Sequence, residues 1–369
     1  MKYLFIAVLI LTVPGYAQVP YNNALRNGYT KKAMVAEEIG LTNVSITYHR
    51  PAVNGREGKV WGKLVHAGFI DQGFGNRNPA PWRAGANENT IIEVNDDVKI
   101  EGQPLAKGKY GFFIAYGAEA CTLIFSRRSD GWGSFFYEEK DDVLRVSVKP
   151  KPIAENVEHL SFAFTKQTPN SAMIVLSWEK LSIPFTIEVD LMKQQYVALA
   201  SELKNPRSFT AQALNTAALW CLQNKYELEK GLEWATLATA TTFPGDPRSF
   251  AALITKAELL YKTGKYNDAK STIENALPFG SMNQVMQFGR QLLNEKRTEA
   301  AFTVLEYNHK MNPDQFITIV GMARALSANG EFGKALLFAK KALHAAPDLP
   351  AKNAVGDMIT KLEAGKDIN

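Results

Sequence analysis

Cysteine is nearly absent: the 369 residues include only Cys121 and Cys221. One possible pair cannot staple a chain of this size, so the fold must rest on its apolar core, with both thiols free and buried. Histidine is scarce too. His49, His66, His159, His309 and His344 include no pair at the i, i+2 or i, i+4 spacing of a metal motif, so no metal is expected. A metal site built from His49, His66 and Glu88 or Glu93 would need the fold to gather them. Blocks of like charge are missing and the net charge is only +5, so no nucleic-acid partner is expected. Past the N-terminus no apolar run is long enough to cross a membrane, so the mature chain should carry no transmembrane segment. No Gly-x-Ser-x-Gly elbow occurs, and neither cysteine has a recognisable enzyme context. The glycines at 102 and 108 lack the spacing and the Lys-Ser/Thr pair of a phosphate loop. No catalytic residue is assigned, and no cofactor is expected.

What is present begins at the start of the chain. Lys2 is a short basic region, and residues 3–13 form an apolar run too short to span a bilayer. Gly15 and Ala17 then stand at the −3 and −1 positions before Gln18. The combination reads as a signal peptide, 1–17, cleaved after Ala17. The mature protein is therefore expected in the periplasm or outside the cell.

Residues 18–42 are polar and mixed, with a short strand or a surface segment as the expectation. From Asn43 the pattern turns β: Val44, Ile46 and Tyr48 alternate with Ser45, Thr47 and His49. Strands are expected at 90–94, 98–101, 110–116, 121–125, 132–137, 143–149, 160–164, 173–178 and 185–189, with turn residues in most gaps. Pro184 should sit at a strand's edge or first residue. Residues 68–81 show little periodicity and read as a long loop, a place where function often lies. The regular short strands of 43–190 indicate an antiparallel sandwich or barrel.

At Asp190 the grammar changes to a helical period that runs from 191 to 369. Ala257, Leu260, Gly264, Tyr266, Ala269, Ile273, Ala276 and Leu277 share their offsets with Ala323, Leu326, Gly330, Phe332, Ala335, Ala339, Ala342 and Leu343. Gly289, Leu292, Ala301 and Leu305 make a weaker copy, and Leu219, Leu222, Gly231, Ala235 and Ala238 a degenerate one. The copies start at 219, 257, 289 and 323, close to the 34-residue period of a tetratricopeptide repeat. Small residues belong where two helices cross closely, and a glycine after the first helix allows a left-handed turn. The expected architecture is β then α: an antiparallel β-sandwich followed by a tetratricopeptide-like α-solenoid.

Several motifs of the β half carry a resemblance. Tyr48-His49-Arg50-Pro51, Trp61-Gly62-Lys63-Leu64-Val65, Trp82-Arg83-Ala84-Gly85-Ala86-Asn87-Glu88, Asp142-Val143-Leu144-Arg145-Val146 and Leu176-Ser177-Trp178-Glu179 resemble the bacterial DUF2911 family over roughly 43–190. So does the stretch from Gly102 to Tyr110. The resemblance implies exported proteins of Bacteroidetes-type bacteria, some with helical repeats attached, and implies no activity. The loop before Trp82 is longer here than the family's usual spacing.

The turn at 82–90 concentrates the candidate ligand-binding side chains: His49, Arg50, Trp82, Arg83, Asn87 and Glu88. Two guanidinium forks suit a carboxylate or phosphate, with Glu88 as acid or base. Alternatively, Arg83 and Glu88 form a corner ion pair that pins the loop. The tryptophans and Phe135, Phe136 and Tyr137 read as core, with sugar stacking as the other use of exposed rings. Two functions follow. One is a non-enzymatic envelope scaffold whose repeats engage a protein or peptide partner, with a small polar ligand on the β half. The other is an envelope hydrolase of glycan or peptide with its site near Arg50, Arg83 and Glu88.

Overall fold

The computed structural model describes residues 30–206 and 208–369. The expected signal peptide, 1–17, and the segment 18–29 lie outside the described residues. The chain divides into two compact units between Leu191 and Met192.

In the first unit the strands are β1 (Lys31–Ile39), β2 (Thr42–Arg50), β3 (Thr90–Val94), β4 (Val98–Ile100), β5 (Gln103–Leu105), β6 (Gly108–Ala115), β7 (Cys121–Ser126), β8 (Asp142–Val148), β9 (Lys151–Thr168) and β10 (Ser171–Val189). They form a six-stranded sheet in the order β1-β2-β3-β6-β7-β8 and a four-stranded sheet in the order β5-β4-β10-β9. The ladders are antiparallel and neither sheet closes on itself. Ile46, Phe112 and Leu123 of one sheet meet Leu160, Ile174 and Phe185 of the other in a single core. This is the antiparallel sandwich that the alternation implied, since residues of one parity face the partner sheet.

Four details differ from the sequence reading. β1 lies in the stretch read as polar and mixed, and it pairs with β2 from Lys31↔Arg50 to Ile39↔Thr42. As an edge strand, β1 needs to bury little beyond Ile39, so its pattern is mostly polar. Residues 132–137 form turns rather than a strand, because Gly131 and Gly133 break the run and Gly133 takes a left-handed φ of +67°. The strand expected at 160–164 is part of the 18-residue β9. The two strands expected at 173–178 and 185–189 are one, β10. Its buried positions change parity, from Ile174, Leu176 and Trp178 to Ile183, Phe185 and Ile187. Register shifts flank Glu179, whose φ is +51°, so a bulge keeps both halves facing the core. Pro184 therefore sits inside a strand. It falls after the last rung to β9, Ser182↔Lys151, and before the first rung to β4, Ile187↔Ile100, so its missing N–H breaks neither ladder.

In the second unit ten helices follow among the described residues: α1 (Leu191–Glu202), α2 (Ala211–Asn224), α3 (Leu228–Ala238), α4 (Phe250–Lys262), α5 (Tyr266–Ala276), α6 (Met282–Asn294), α7 (Thr298–Met311), α8 (Phe316–Ala328), α9 (Phe332–Ala345) and α10 (Leu349–Glu363). The pairs α2–α3, α4–α5, α6–α7 and α8–α9 coincide with the four sequence copies. Ala257 and Ala323 are fully buried where helices cross. At the matching site a Cβ on Gly289 would stand 2.4 Å from Leu305 Cδ2, so the position admits no side chain. Gly264 (φ +80°) and Gly330 (φ +77°) make the left-handed turns within their pairs, and Lys296 (φ +59°) makes the same turn in the third copy. That lysine is why the third copy looked weak while folding like the others. No described helix is long and apolar enough to cross a membrane.

Candidate functional site

The turn at 82–90 is pinned from beneath. Trp82 donates its backbone N–H to the Ile114 carbonyl at 3.1 Å and accepts from Ile114 N at 2.8 Å, continuing the edge of β6 beyond β3. Its indole is buried, stacked on Trp178 at 6.1 Å and meeting Trp61 edge-on at 5.6 Å. Trp82 Nε1 donates to the Gly85 carbonyl at 3.1 Å, and Thr90 Oγ1 donates to the Ala84 carbonyl at 3.0 Å. A Cβ on Gly85 would lie 2.8 Å from Thr90 Oγ1 and 3.2 Å from the His49 carbonyl oxygen, so the turn closes only with glycine there. Ala84 and Asn87 take left-handed φ values of +50° and +59°, strain that these internal bonds hold in place.

His49, Asn87 and Glu88 come together. Asn87 Nδ2 donates to Thr30 Oγ1 at 2.7 Å and lies 3.2 Å from His49 Nδ1. An amide nitrogen only donates, so His49 Nδ1 accepts and the imidazole proton sits on Nε2. That nitrogen donates to Glu88 Oε2 at 3.3 Å, and Lys32 Nζ reaches the same oxygen at 3.0 Å. His49 is buried and Glu88 half-buried. The network joins the first strand, the second strand and the turn.

The corner ion pair between Arg83 and Glu88 does not form. The left-handed Asn87 reverses the chain between them, so Glu88 meets β1 and β2 while Arg83 turns away. Arg83 Nη1 donates to the Asn87 carbonyl at 3.0 Å, and its guanidinium carbon lies 5.6 Å from the centre of the Phe135 ring. A Cβ on Gly133 would come within 2.7 Å of Nη1, so this glycine's backbone presses directly on the guanidinium. Burial holds the Arg83 pKa below its usual value, and among the described residues no carboxylate forms an ion pair with it. Arg50 serves elsewhere: its Nε donates to the Leu160 carbonyl at 3.0 Å and ties β2 to β9. The two guanidinium forks thus anchor separate parts of the sandwich rather than forming one clamp.

Two clusters escaped the sequence reading. In the first, Tyr137 Oη donates to Asp142 Oδ2 at 2.6 Å, while Arg145 reaches the same carboxylate through Nε and the phenol oxygen through Nη2, each at 2.7 Å. Burial raises the Asp142 pKa, opposed by Tyr137 and Arg145, and Asp142 Oδ1 is buried without a partner. Asp142 and Arg145, at the start of β8, thus hold Tyr137 of the loop that follows β7. The second is the half-buried His66, whose ring nitrogens are closed off from solvent with the backbone of Ala67 and Gly68 beside them, and whose pKa burial lowers. A lone histidine between valine and alanine offers no periodic signal that could have marked it.

Of the aromatics, Trp82 and Trp178 fill the core as expected, whereas Trp132 and Phe136 remain exposed, Phe136 beside Phe74. In the helical unit, Tyr261, Tyr266, Lys270, Ile273, Lys296 and Arg297 line a groove of about 500 Å³ between α5 and α7. Its floor is rigid. Arg297 Nη1 donates to both Glu258 carboxylate oxygens at 2.7 and 2.9 Å, both side chains are buried, and the guanidinium carbon lies 3.7 Å from the Tyr261 ring centre.

Residues 30–187 match the model of a family described as protein of unknown function (DUF2911). The match begins before Asn43 because β1 belongs to the sandwich. No curated protein matches the chain. Similar solved structures include YrrB, a TPR protein with an unusual peptide-binding site, at 16% identity over 46% of this chain and 84% of that one, with a TM-score of 0.29. A MamA RS-1 ArsTM double mutant is 17% identical over 43% of this chain and 97% of that one, with a TM-score of 0.27. MamA from Desulfovibrio magneticus RS-1 is 16% identical over 42% and 93%, also with a TM-score of 0.27.

Proposed function

We propose that this protein is an exported envelope scaffold that engages a protein or peptide partner through its helical repeats. The observation that carries this reading is the groove between α5 and α7, about 500 Å³ in volume. Tyr266 stands 61% exposed at its rim, available to a partner, while the Arg297–Glu258 pair fixes its floor. An amphipathic aromatic on a rigid support is the kind of side chain that anchors peptide contacts at low entropic cost. The hydrolase reading has less behind it, because Trp82 and His49 are buried and Arg50, Asn87 and Glu88 are engaged in holding the turn and the strands.

The test is capture from envelope extract by the mature chain and by a Tyr266→Ala/Lys270→Glu variant. The wild type should retain a discrete set of proteins, and the variant, with unchanged helicity, should lose them. Equal capture by both would remove the groove from the account. Export rests on Lys2, the apolar run and the small residues before Gln18. Mass spectrometry of protein from the envelope fraction should find Gln18 at the N-terminus. An intact Met1 there would contradict export by cleavage.

A further inference from the structure

The β unit carries an aromatic surface that its own fold leaves open. Phe74, Trp132 and Phe136 are 64%, 46% and 43% exposed. They come from two segments laid one on the other. Asn76 N donates to the Phe135 carbonyl at 3.0 Å and Asn76 Nδ2 to the Tyr137 carbonyl at 3.0 Å, so the loop at 68–81 is fastened to the turn at 131–137. Gly75 lies flush on the Phe135 carbonyl, with no room for a Cβ. The ring centre of Phe74 stands 5.4 Å from that of Phe135 and 6.4 Å from that of Phe136. Trp132 and Phe136 line one shallow cleft, and Asn89 lines it with them. Asn89 is buried, and its Nδ2 donates to the Arg128 carbonyl at 3.2 Å while its Oδ1 accepts no hydrogen bond. The cleft holds about 10 Å³, room for one hydroxyl or water oxygen.

Grouped exposed rings on fixed backbone mark a binding surface, and their size and charge select among partners. A buried aromatic side chain covers about 200 Å². Three rings roughly half exposed therefore offer on the order of 300 Å², well short of the ~800 Å² per side of a stable protein interface. The charges in and beside the two segments meet in pairs of opposite sign: Arg77 with Asp71 at 3.0 Å, Arg128 with Asp130 at 3.9 Å and Lys140 with Glu138 at 2.5 Å. Such a rim has little net charge to draw an ion, and it sets donors and acceptors side by side. A sugar hydroxyl both donates and accepts, and the slightly positive C–H face of a pyranose lies well against the negative face of a ring. We infer that Phe74, Trp132 and Phe136 form a binding platform for an uncharged oligosaccharide, with one sugar hydroxyl donating to Asn89 Oδ1 in the cleft. The Arg128 guanidinium carbon, 5.8 Å from the centre of the Phe136 ring, steadies that ring. The platform lies on the β unit and stands apart from partner binding by the repeats.

The experiment is titration of the whole mature chain with cellohexaose, xylohexaose, N-acetylchitohexaose and maltohexaose, followed by calorimetry and tryptophan fluorescence. Saturable binding of at least one sugar is expected, with a blue shift as Trp132 leaves water. Trp132→Ala should weaken that binding about tenfold or more, the loss typical of an aromatic anchor. Phe74→Ala, at the most exposed of the three rings and so the mildest for the fold, should weaken it measurably. Raising sodium chloride tenfold should leave the affinity unchanged, because screening acts on charged partners. No saturable binding of any of the four sugars, equal affinity in wild type and both variants, or a steep loss of affinity with salt would overturn the inference. So would retention of the wild type on phosphatidylethanolamine vesicles, lost in Trp132→Ala, without sugar binding, since the rings would then face a lipid surface.

Discussion

Arg297→Met will destabilise the helical unit by about 3–5 kcal/mol, the usual cost of stranding one partner of a buried ion pair. Arg297 and Glu258 are 8% and 4% exposed, and the contact is two-pronged, at 2.7 and 2.9 Å. The arginine also covers the Tyr261 ring, so its loss removes packing as well as charge. Burial raises the Glu258 pKa above 4.5 even with Arg297 present to oppose it. A carboxyl whose pKa is raised on folding contributes stability that is complete below its unfolded pKa and is lost as pH rises through the folded value. Without Arg297 the folded value climbs further. The deficit of the variant relative to wild type should therefore be largest at neutral pH and shrink as pH falls toward 4.5. The double variant Glu258→Leu/Arg297→Met strands no charge and should cost far less than the two single changes added together. Calorimetric melts of the four proteins at two pH values measure all of this. A single-variant cost below about 1 kcal/mol, the range of exposed pairs, would show that the pair is not buried in solution.

Trp82→Ala should cost the β unit about 3–5 kcal/mol, as large-to-small changes of buried aromatics do. The indole fills the space between Trp61 and Trp178, and its Nε1 holds the Gly85 carbonyl, so truncation opens a cavity and frees a strained turn together. Trp82→Phe keeps most of the packing and loses the N–H. It should cost about 1–3 kcal/mol for the buried carbonyl left without its donor. The β-unit transition in calorimetry reports both. Near-equal small losses would mean that the turn at 82–90 is held from outside rather than by this ring.

The parts of the fold legible in the sequence were those where one local rule acts alone. Alternation placed Val44, Ile46 and Tyr48 inside, and Gly264 and Gly330 marked the turns between paired helices. The misses arose where tertiary contacts override the local rule. A bulge at Glu179 flips the parity of β10, so one strand reads as two. Lys296 takes a left-handed conformation without being glycine, which hid the regularity of the third repeat. At the candidate site, the sequence located the turn but paired its charges by proximity along the chain. The backbone reversal at Asn87 sends Glu88 to His49 and Lys32 and leaves Arg83 beside Gly133, a contact no spacing rule contains.

The claim that the repeats carry the partner is tested most directly by site-specific photocrosslinking in the cell. A photoreactive residue at position 267 or 270, both exposed on the wall of the α5–α7 groove, should form discrete protein adducts. The same residue at position 74, exposed on the β unit, should not. Adducts at 74 with none at 267 or 270 would contradict the account.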